Sequence, residues 1–229
     1  MSRVLVLIQA RLGSARLPSK VLEPIGDFPA LFHVVTRARE ALPKAKVLIA
    51  SPKRDVPIIS QEVAGDYFGW DGPENDVLGR FVAAIGVRRP TTVVRLTGDC
   101  PFVGVEGIQA VVDAVEAGEA DYAWTGDQVN GLDAEAFTLD ALLDAHERAT
   151  DPYDREHVTQ FIRRHRRVWT FSGYDCLPRY RLTLDTTDDL YHLRDIAELI
   201  DTTPPDPSPA VLHALIQAHP HLTRLEHAS

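Results

Sequence analysis

The sequence predicts an α/β protein: a doubly wound, mostly parallel sheet with helices on both faces and a smaller antiparallel edge in the second half. Three observations carry this expectation. Short β-branched and aliphatic runs alternate with longer amphipathic ones through the first 117 residues. The strand-like runs are apolar at consecutive positions, as in strands buried on both faces. The connections are short, which makes successive strands parallel and joins them by right-handed crossovers.

Taken in order, Arg3 to Gln9 reads as the first strand, and a polar loop bearing Gly and Arg follows it. Pro29 opens a helical pattern with Leu31, Val34, Val35 and Ala38 on one face. Lys46 to Ala50 is a strand, Val56 to Ala64 a helix, Tyr67 to Trp70 a weak strand, and Asp76 to Val87 a helix. Thr91 to Leu96 is a strong strand and Val105 to Ala117 an amphipathic helix. The second half is less regular. Asp121 to Thr125, Ala134 to Thr138, Val168 to Phe171 and Arg181 to Leu184 read as short strands. Leu139 to Ala149, Arg155 to Arg164, Asp188 to Ile200 and Val211 to Ala218 read as helices. With 229 residues, this organisation predicts one domain over 1–203, then a Pro-rich linker and a C-terminal helix over 204–229 packed on the same domain.

Composition removes several classes. The longest aliphatic run, Val4 to Ile8, is far too short to span a membrane, and a cytoplasmic protein is expected. Cys100 and Cys176 are too few for a disulfide scaffold or a Cys-rich zinc site. A net charge of −9 argues against sequence-independent nucleic-acid binding, which needs an excess of Lys and Arg. Only Lys20, Lys44, Lys46 and Lys53 are lysines, so a Lys inside a motif is informative.

In open parallel sheets, ligands bind beyond the carboxyl ends of the strands. The loop after the first strand, Gln9-Ala-Arg-Leu-Gly-Ser-Ala-Arg-Leu-Pro-Ser-Lys20, places Arg11, Arg16 and Lys20 there with Gly13 and Ser14 between. Small residues let backbone N–H groups approach an anion, while Arg and Lys neutralise it, a pattern suited to a polyphosphate. The alternative is a solvated basic loop. Neither a Walker A loop nor a G-x-G-x-x-G fingerprint is present. The strand Thr91 to Leu96 leads into Thr97-Gly98-Asp99-Cys100-Pro101, and Arg181 to Leu184 leads into Asp185. Two carboxylates at one rim suit a Mg²⁺ ion that completes its shell with water and phosphate. Each is equally suited to a turn or to a helix N-cap.

Residues Ile8 to Lys20 closely resemble the opening signature of the cytidylyltransferases that make CMP-sugars, in particular the spore coat polysaccharide biosynthesis protein F branch. The resemblance continues in order through Asp76-Val-Leu-Gly-Arg80, Thr97-Gly-Asp-Cys-Pro101, Gly131-Leu-Asp-Ala-Glu135, Arg155-Glu-His-Val-Thr159 and Leu182-Thr-Leu-Asp-Thr186. It departs from that pattern at Ser19, where the family carries Gly, at Pro73, where Ser is common, and at Ala50-Ser51-Pro52.

The resemblance implies transfer of CMP from CTP to a sugar or sugar-acid hydroxyl with release of pyrophosphate, in surface polysaccharide or glycoconjugate assembly. It implies that Arg11, Gly13, Ser14, Arg16, Lys20 and Arg80 hold the nucleotide and that Asp99 and Asp185 hold Mg²⁺. Lys20, Arg16 and Asp99 would carry catalysis. Asp133, Glu135 and His157 fall where acceptor hydroxyls would be bound, with a turn and a core imidazole as the alternatives. UTP or GTP use, and a nucleotide-binding module without turnover, remain open alongside this reading. A homodimer through 118–137 and a monomer are both compatible with it.

Overall fold

The computed structural model describes residues 3–127, 129–174, 179–200 and 208–222. Its centre is a seven-stranded sheet in the order β10-β7-β9-β6-β1-β4-β5. The strands are β1 (Val4–Gln9), β4 (Lys46–Pro52), β5 (Tyr67–Trp70), β6 (Thr92–Thr97), β7 (Tyr122–Trp124), β9 (Glu135–Thr138) and β10 (Val168–Thr170). β1 pairs in parallel with β4 on one side and β6 on the other. The antiparallel contribution of the second half is β9, which pairs with β6 and β7 inside the sheet.

Alternation along β1 explains the two helix layers. Val6 and Ile8 pack with α1 (Ala30–Ala41) and α4 (Val105–Glu116), whereas Leu5 and Leu7 pack with α3 (Val77–Ile85) and α5 (Leu139–Arg148). Right-handed crossovers require this: the chain steps outward from β1 to β4 to β5, then reverses to β6, and the covering helix changes face. The reversal leaves a crevice beyond the carboxyl ends of β1 and β6. No helix among the described residues is long and apolar enough to cross a membrane.

A third apolar cluster unites α8 (Thr187–Leu199), α9 (Pro209–Ala218) and the hairpin of β2 (Pro24–Ile25) with β3 (Phe28–Pro29). Leu190, Leu193, Leu212 and Ile216 are buried together there with Ile25. The Pro-rich stretch 201–207 and Cys176 lie outside the described residues.

Two elements differ from the sequence expectation. The helix expected over Arg155 to Arg164 is two short helices, α6 (Pro152–His157) and α7 (Gln160–His165). They break at Val158, a fully buried β-branched residue with φ 59 and ψ −58. Such a conformation is costly for Val and persists only where its surroundings fix it. Thr159 supplies part of that restraint by donating its hydroxyl to Glu135 Oε1 at 2.6 Å.

The strand expected over Arg181 to Leu184 is confined to β11 (Tyr180–Arg181), paired with β8 (Val129–Asn130) in a separate two-stranded sheet. Beyond it the Leu182 N–H donates to the Asn130 carbonyl at 2.6 Å, and the Leu184 N–H reaches the Asp99 carbonyl at 2.8 Å. The segment is extended but divides its hydrogen bonds between two partners, so no ladder forms.

Gly131 makes this approach feasible. Its φ is 109, and a Cβ there would stand 2.4 Å from the Leu182 carbonyl carbon. Gly131→Ala is therefore expected to destabilise the fold by at least about 1–3 kcal/mol, read as a lower midpoint in urea with circular dichroism. A change below the error of the melt would mean that the close approach is not required.

Candidate active site

A cleft of about 370 Å³ opens beyond the carboxyl ends of β1 and β6. Lys20 opens a short 3₁₀ turn, Lys20–Leu22, after the long loop that follows β1. Its Nζ donates to Asp99 Oδ2 at 2.5 Å and to Asp185 Oδ1 at 2.7 Å. The two carboxylates arrive from the turn after β6 and from the extended segment after β11, tied together by the Leu184–Asp99 backbone bond. Arg16 approaches Asp185 Oδ2 at 3.1 Å and Arg181 donates to it at 2.5 Å.

The alternative role for Asp185, a helix cap, falls to its neighbours. Thr186 and Asp189 form the capping box of α8, and Asp189 Oδ2 accepts the N–H groups of both Asp185 and Thr186 at 3.0 and 2.9 Å. The Asp185 carboxylate is thereby left to the cleft. Burial alone would raise its pKa, but the hydrogen bond and charge of Lys20, with Arg181 and Arg16, hold it below the usual carboxylate range. Burial likewise opposes the charged form of Lys20, and the Asp99 charge with the bonds to both acids outweighs it and raises the pKa.

Arg11 lies on the same wall, 3.3 Å from Glu74 and 3.9 Å from Glu156 of α6. Gly13 belongs to the same contact, since a Cβ there would meet Glu74 Oε1 at 3.0 Å. Ser14 Oγ accepts the Leu17 N–H at 3.4 Å, and the Leu12 N–H donates to the buried Asp55 at 2.9 Å. These bonds shape the loop from within.

Arg80 is almost fully buried in α3, yet it lines the cleft. Its Nη2 donates to the Glu74 carbonyl at 3.1 Å, while Nε and Nη1 are buried with no hydrogen-bond partner among the described residues. Burial, reinforced by the Arg11 charge, pushes its pKa down to about 10, so it remains a cation at neutral pH. Buried unpaired donors on a charged group are costly, and they keep a positive charge directly beneath the cleft lining.

Asp133 and Glu135 are not among the residues of the cleft wall. Asp133 Oδ2 accepts the Gly131 N–H at 2.6 Å, which places it in the turn. Glu135 is a hub of the sheet: Oε1 accepts from Tyr122 at 2.7 Å and Thr159 at 2.6 Å, and Oε2 pairs with Arg95. His157 does line the cleft, from the end of α6, with its ring 4.3 Å from that of Tyr153.

Several functional contacts have only a diffuse signal in the sequence. Arg95 and Gln9, bonded to one another at 3.1 Å, both line the cleft from within predicted strands. Arg155 grips Asp76 through two bonds of 2.8 and 3.0 Å, joining two of the family-like motifs, while Asp76 also caps α3 at Gly79. A charged residue recurring inside each motif is the signal that could have revealed this pair. Cys100 is buried against Thr97, and burial next to Asp99 pushes its thiol well up, so it is an inert packing group.

A basic, acid-bracketed cleft at the switch point of a doubly wound sheet defines an α/β protein with a ligand crevice suited by charge to anions. Comparison with known proteins is more specific: residues 5–204 match the cytidylyltransferase family model, and the chain belongs to that family. It is 32% identical to the spore coat polysaccharide biosynthesis protein SpsF of Bacillus subtilis, with 96% of each chain covered. It is 34% identical to a 3-deoxy-manno-octulosonate cytidylyltransferase of Anaeromyxobacter dehalogenans over 52% of this chain and 49% of that protein. A cytidylyltransferase structure from Leptospira borgpetersenii superposes with a TM-score of 0.85 at 26% identity, covering all of both chains.

Two outcomes are expected. Ser19 holds φ 57 and ψ 22, which explains the glycine that the family resemblance places there. Ser19→Gly should raise stability by up to about 1 kcal/mol in a denaturant melt, because glycine adopts this backbone without a Cβ penalty. A loss of stability would show that the serine side chain contributes more than the backbone strain costs.

Asp133 has its pKa pushed up to about 7, by burial first, opposed by the Gly131 N–H and reinforced by the Glu135 charge. A folded pKa above the unfolded value favours the folded state fully below the unfolded pKa, and this advantage is lost as pH rises through 7. Asp133→Asn should therefore match the parent near pH 4 and gain on it by pH 8, by on the order of 1–3 kcal/mol. Parallel stability profiles across that range would exclude a protonated Asp133.

Proposed function

We propose that the protein transfers CMP from CTP to a hydroxyl of a sugar or sugar acid and releases pyrophosphate, in the assembly of a surface polysaccharide or glycoconjugate in the cytoplasm. One observation carries this reading within a chain of the cytidylyltransferase family: Lys20, Asp99 and Asp185 converge at one rim of a cleft that also holds Arg11, Arg16 and Arg80. The names of two relatives point the same way, one to polysaccharide biosynthesis and one to cytidylyl transfer to 3-deoxy-manno-octulosonate.

The reaction displaces pyrophosphate from the α-phosphorus. The acceptor oxygen forms a bond to that phosphorus, the bond to the β-phosphate bridging oxygen breaks, and the hydroxyl proton is released. Negative charge accumulates on the departing group, so fixed cations are the largest catalytic contribution available. Lys20 and Arg16 stand at the rim as a point charge and a fork, and Arg80 has unpaired donors facing the same need. Arg11 and the loop around Gly13 and Ser14 form the adjoining wall.

The donor set also suits magnesium. Asp99 and Asp185 present hard carboxylate oxygens that already bracket a cationic group, the Lys20 ammonium, and magnesium takes one or two such ligands beside phosphate and water. Bound between them, Mg²⁺ supplies charge neutralisation and Lewis acidity. His157, next to Glu156 in the cleft lining, is the residue assigned here to the acceptor.

Lys20→Ala and Asp99→Asn are each expected to reduce pyrophosphate release by on the order of a hundred- to a thousandfold while the circular dichroism spectrum is retained. The assay combines each of the four NTPs with Mg²⁺ and a panel of sugars and sugar acids. Turnover with UTP or GTP in place of CTP would overturn the choice of base. Tight nucleotide binding with no turnover on any pair would overturn the enzymatic reading.

A further inference from the structure

A divalent cation held between Asp99 and Asp185 would compete with the Lys20 ammonium for Asp99 Oδ2 and Asp185 Oδ1, the two oxygens that the ammonium bonds. Asp185 Oδ2 is occupied by Arg181 and Arg16, so Oδ1, the atom on Lys20, is the one that faces Asp99 across the ammonium. Asp99 Oδ2 is likewise bonded to Lys20, at 2.5 Å. An ammonium and a dication on one such oxygen pair repel each other at close range, so each weakens the binding of the other. The family reading asks Lys20 to serve the phosphates and the two acids to serve the metal. In the chain as it stands, Lys20 serves the acids, with only 12% of its side chain exposed.

The backbone at this point is fixed and the side chain is not. Ser19 is locked in its left-handed turn by the bond from its N–H to the Leu12 carbonyl at 2.9 Å, and Lys20 begins the following 3₁₀ turn. Beyond Cα the lysine is a four-carbon stem carrying three rotatable donors, and it lines the cleft in which Arg16 and Arg80 also stand. A triphosphate there offers the ammonium anionic oxygens equivalent to those it leaves. Arg16 is ion-paired with Asp185 Oδ2 at 3.1 Å and with no other acid among the described residues, so it can make a similar exchange.

Resting on the proposed function, we infer that Lys20 acts as a stand-in cation that a divalent metal must displace, and that the nucleotide triphosphate draws Lys20 off the two carboxylates and so opens the metal position. Metal and nucleotide then bind with positive coupling through Lys20. By linkage each ligand raises the affinity of the other by the same factor, and removing the lysine removes that part of the coupling. The arrangement also keeps two partly buried carboxylates neutralised whenever the metal is absent, which avoids the cost of leaving them unpaired.

The test is Mn²⁺ binding, followed by electron paramagnetic resonance of the free ion, to the full chain and to the variants Lys20→Met and Arg16→Met, each with and without CTP. Without nucleotide, Lys20→Met should bind Mn²⁺ at least about tenfold more tightly than the parent, since its competitor is gone. Arg16→Met removes one charge from the same acid without vacating the shared oxygens, and should gain less than about threefold. Addition of CTP should strengthen Mn²⁺ binding more in the parent than in Lys20→Met.

Equal or weaker binding by Lys20→Met, or an equal gain in Arg16→Met, would overturn the inference and leave the metal site itself intact. No Mn²⁺ binding by any form, with or without CTP, would overturn the metal reading first and the inference with it. A measurement on the unaltered protein covers the case in which Lys20→Met does not fold. The chain has only four lysines, so acetylation of each can be followed by mass spectrometry. Saturating Mn²⁺ should raise labelling of Lys20 several-fold over Lys44, Lys46 and Lys53, and unchanged labelling with the metal bound would overturn the displacement.

Discussion

A single ammonium is shared by carboxylates from distant parts of the chain. Lys20 bonds to a carboxylate 79 residues away and to another 165 residues away. Each of the three groups is at least half withdrawn from water, and each would be costly to leave alone there. The surrounding structure is organised to keep them together. The Asp99 carbonyl anchors the backbone of Leu184, Gly131 lets that segment pass within van der Waals reach, and the capping box of α8 relieves Asp185 of a structural duty. The third apolar cluster, α8 and α9 on the β2–β3 hairpin, holds the segment from behind.

The remaining charges of the cleft divide into those that shape its walls and those that face into it. Asp76 with Arg155 and Glu135 with Arg95 are paired across elements and fix α3 against α6 and β9 against β6. Arg16 and Arg80 have less of their hydrogen-bonding capacity satisfied, one at the rim and one beneath it. This division reconciles an overall charge of −9 with a basic cleft: Arg11, Arg16, Lys20, Arg80 and Arg95 all line the one crevice at the switch point.

Much of this was legible before any coordinates. Consecutive apolar residues in β1, β4 and β6 identified strands buried on both faces, and the location of the site followed from where such strands end. Lys20, Asp99 and Asp185 stood out because the two acids close strand-like runs and Lys20 ends the basic loop after the first strand. Asp133 and Glu135, which the same logic assigns to the acceptor, are not among the residues that line the cleft. A carboxylate in or just after a glycine-led turn resembles a ligand-binding group, yet Asp133 accepts the nearby Gly131 N–H and Glu135 takes partners scattered along the chain, Arg95, Tyr122 and Thr159. The division of the helix at Val158 was illegible for a related reason. Nothing in Arg155 to Arg164 is a helix breaker, and the turn is imposed by contacts from elsewhere. The loss of ladder pairing in 182–184 likewise depends on two separate neighbours, Asn130 and Asp99.

The position of β9 bears on how the molecule assembles. It lies antiparallel between β6 and β7, although both precede it in the chain. During synthesis the first four parallel strands can associate as they emerge, but the outer rim of β6 then stays open until residue 138 is available to zip into it. That rim carries the unpaired backbone groups of Val93, Val94 and Arg95, the kind of edge that pairs with other chains if left uncovered. A nascent chain of this protein thus passes through a sticky intermediate that its own later half must cap, and shortened versions ending before β9 would be expected to associate with one another instead of folding.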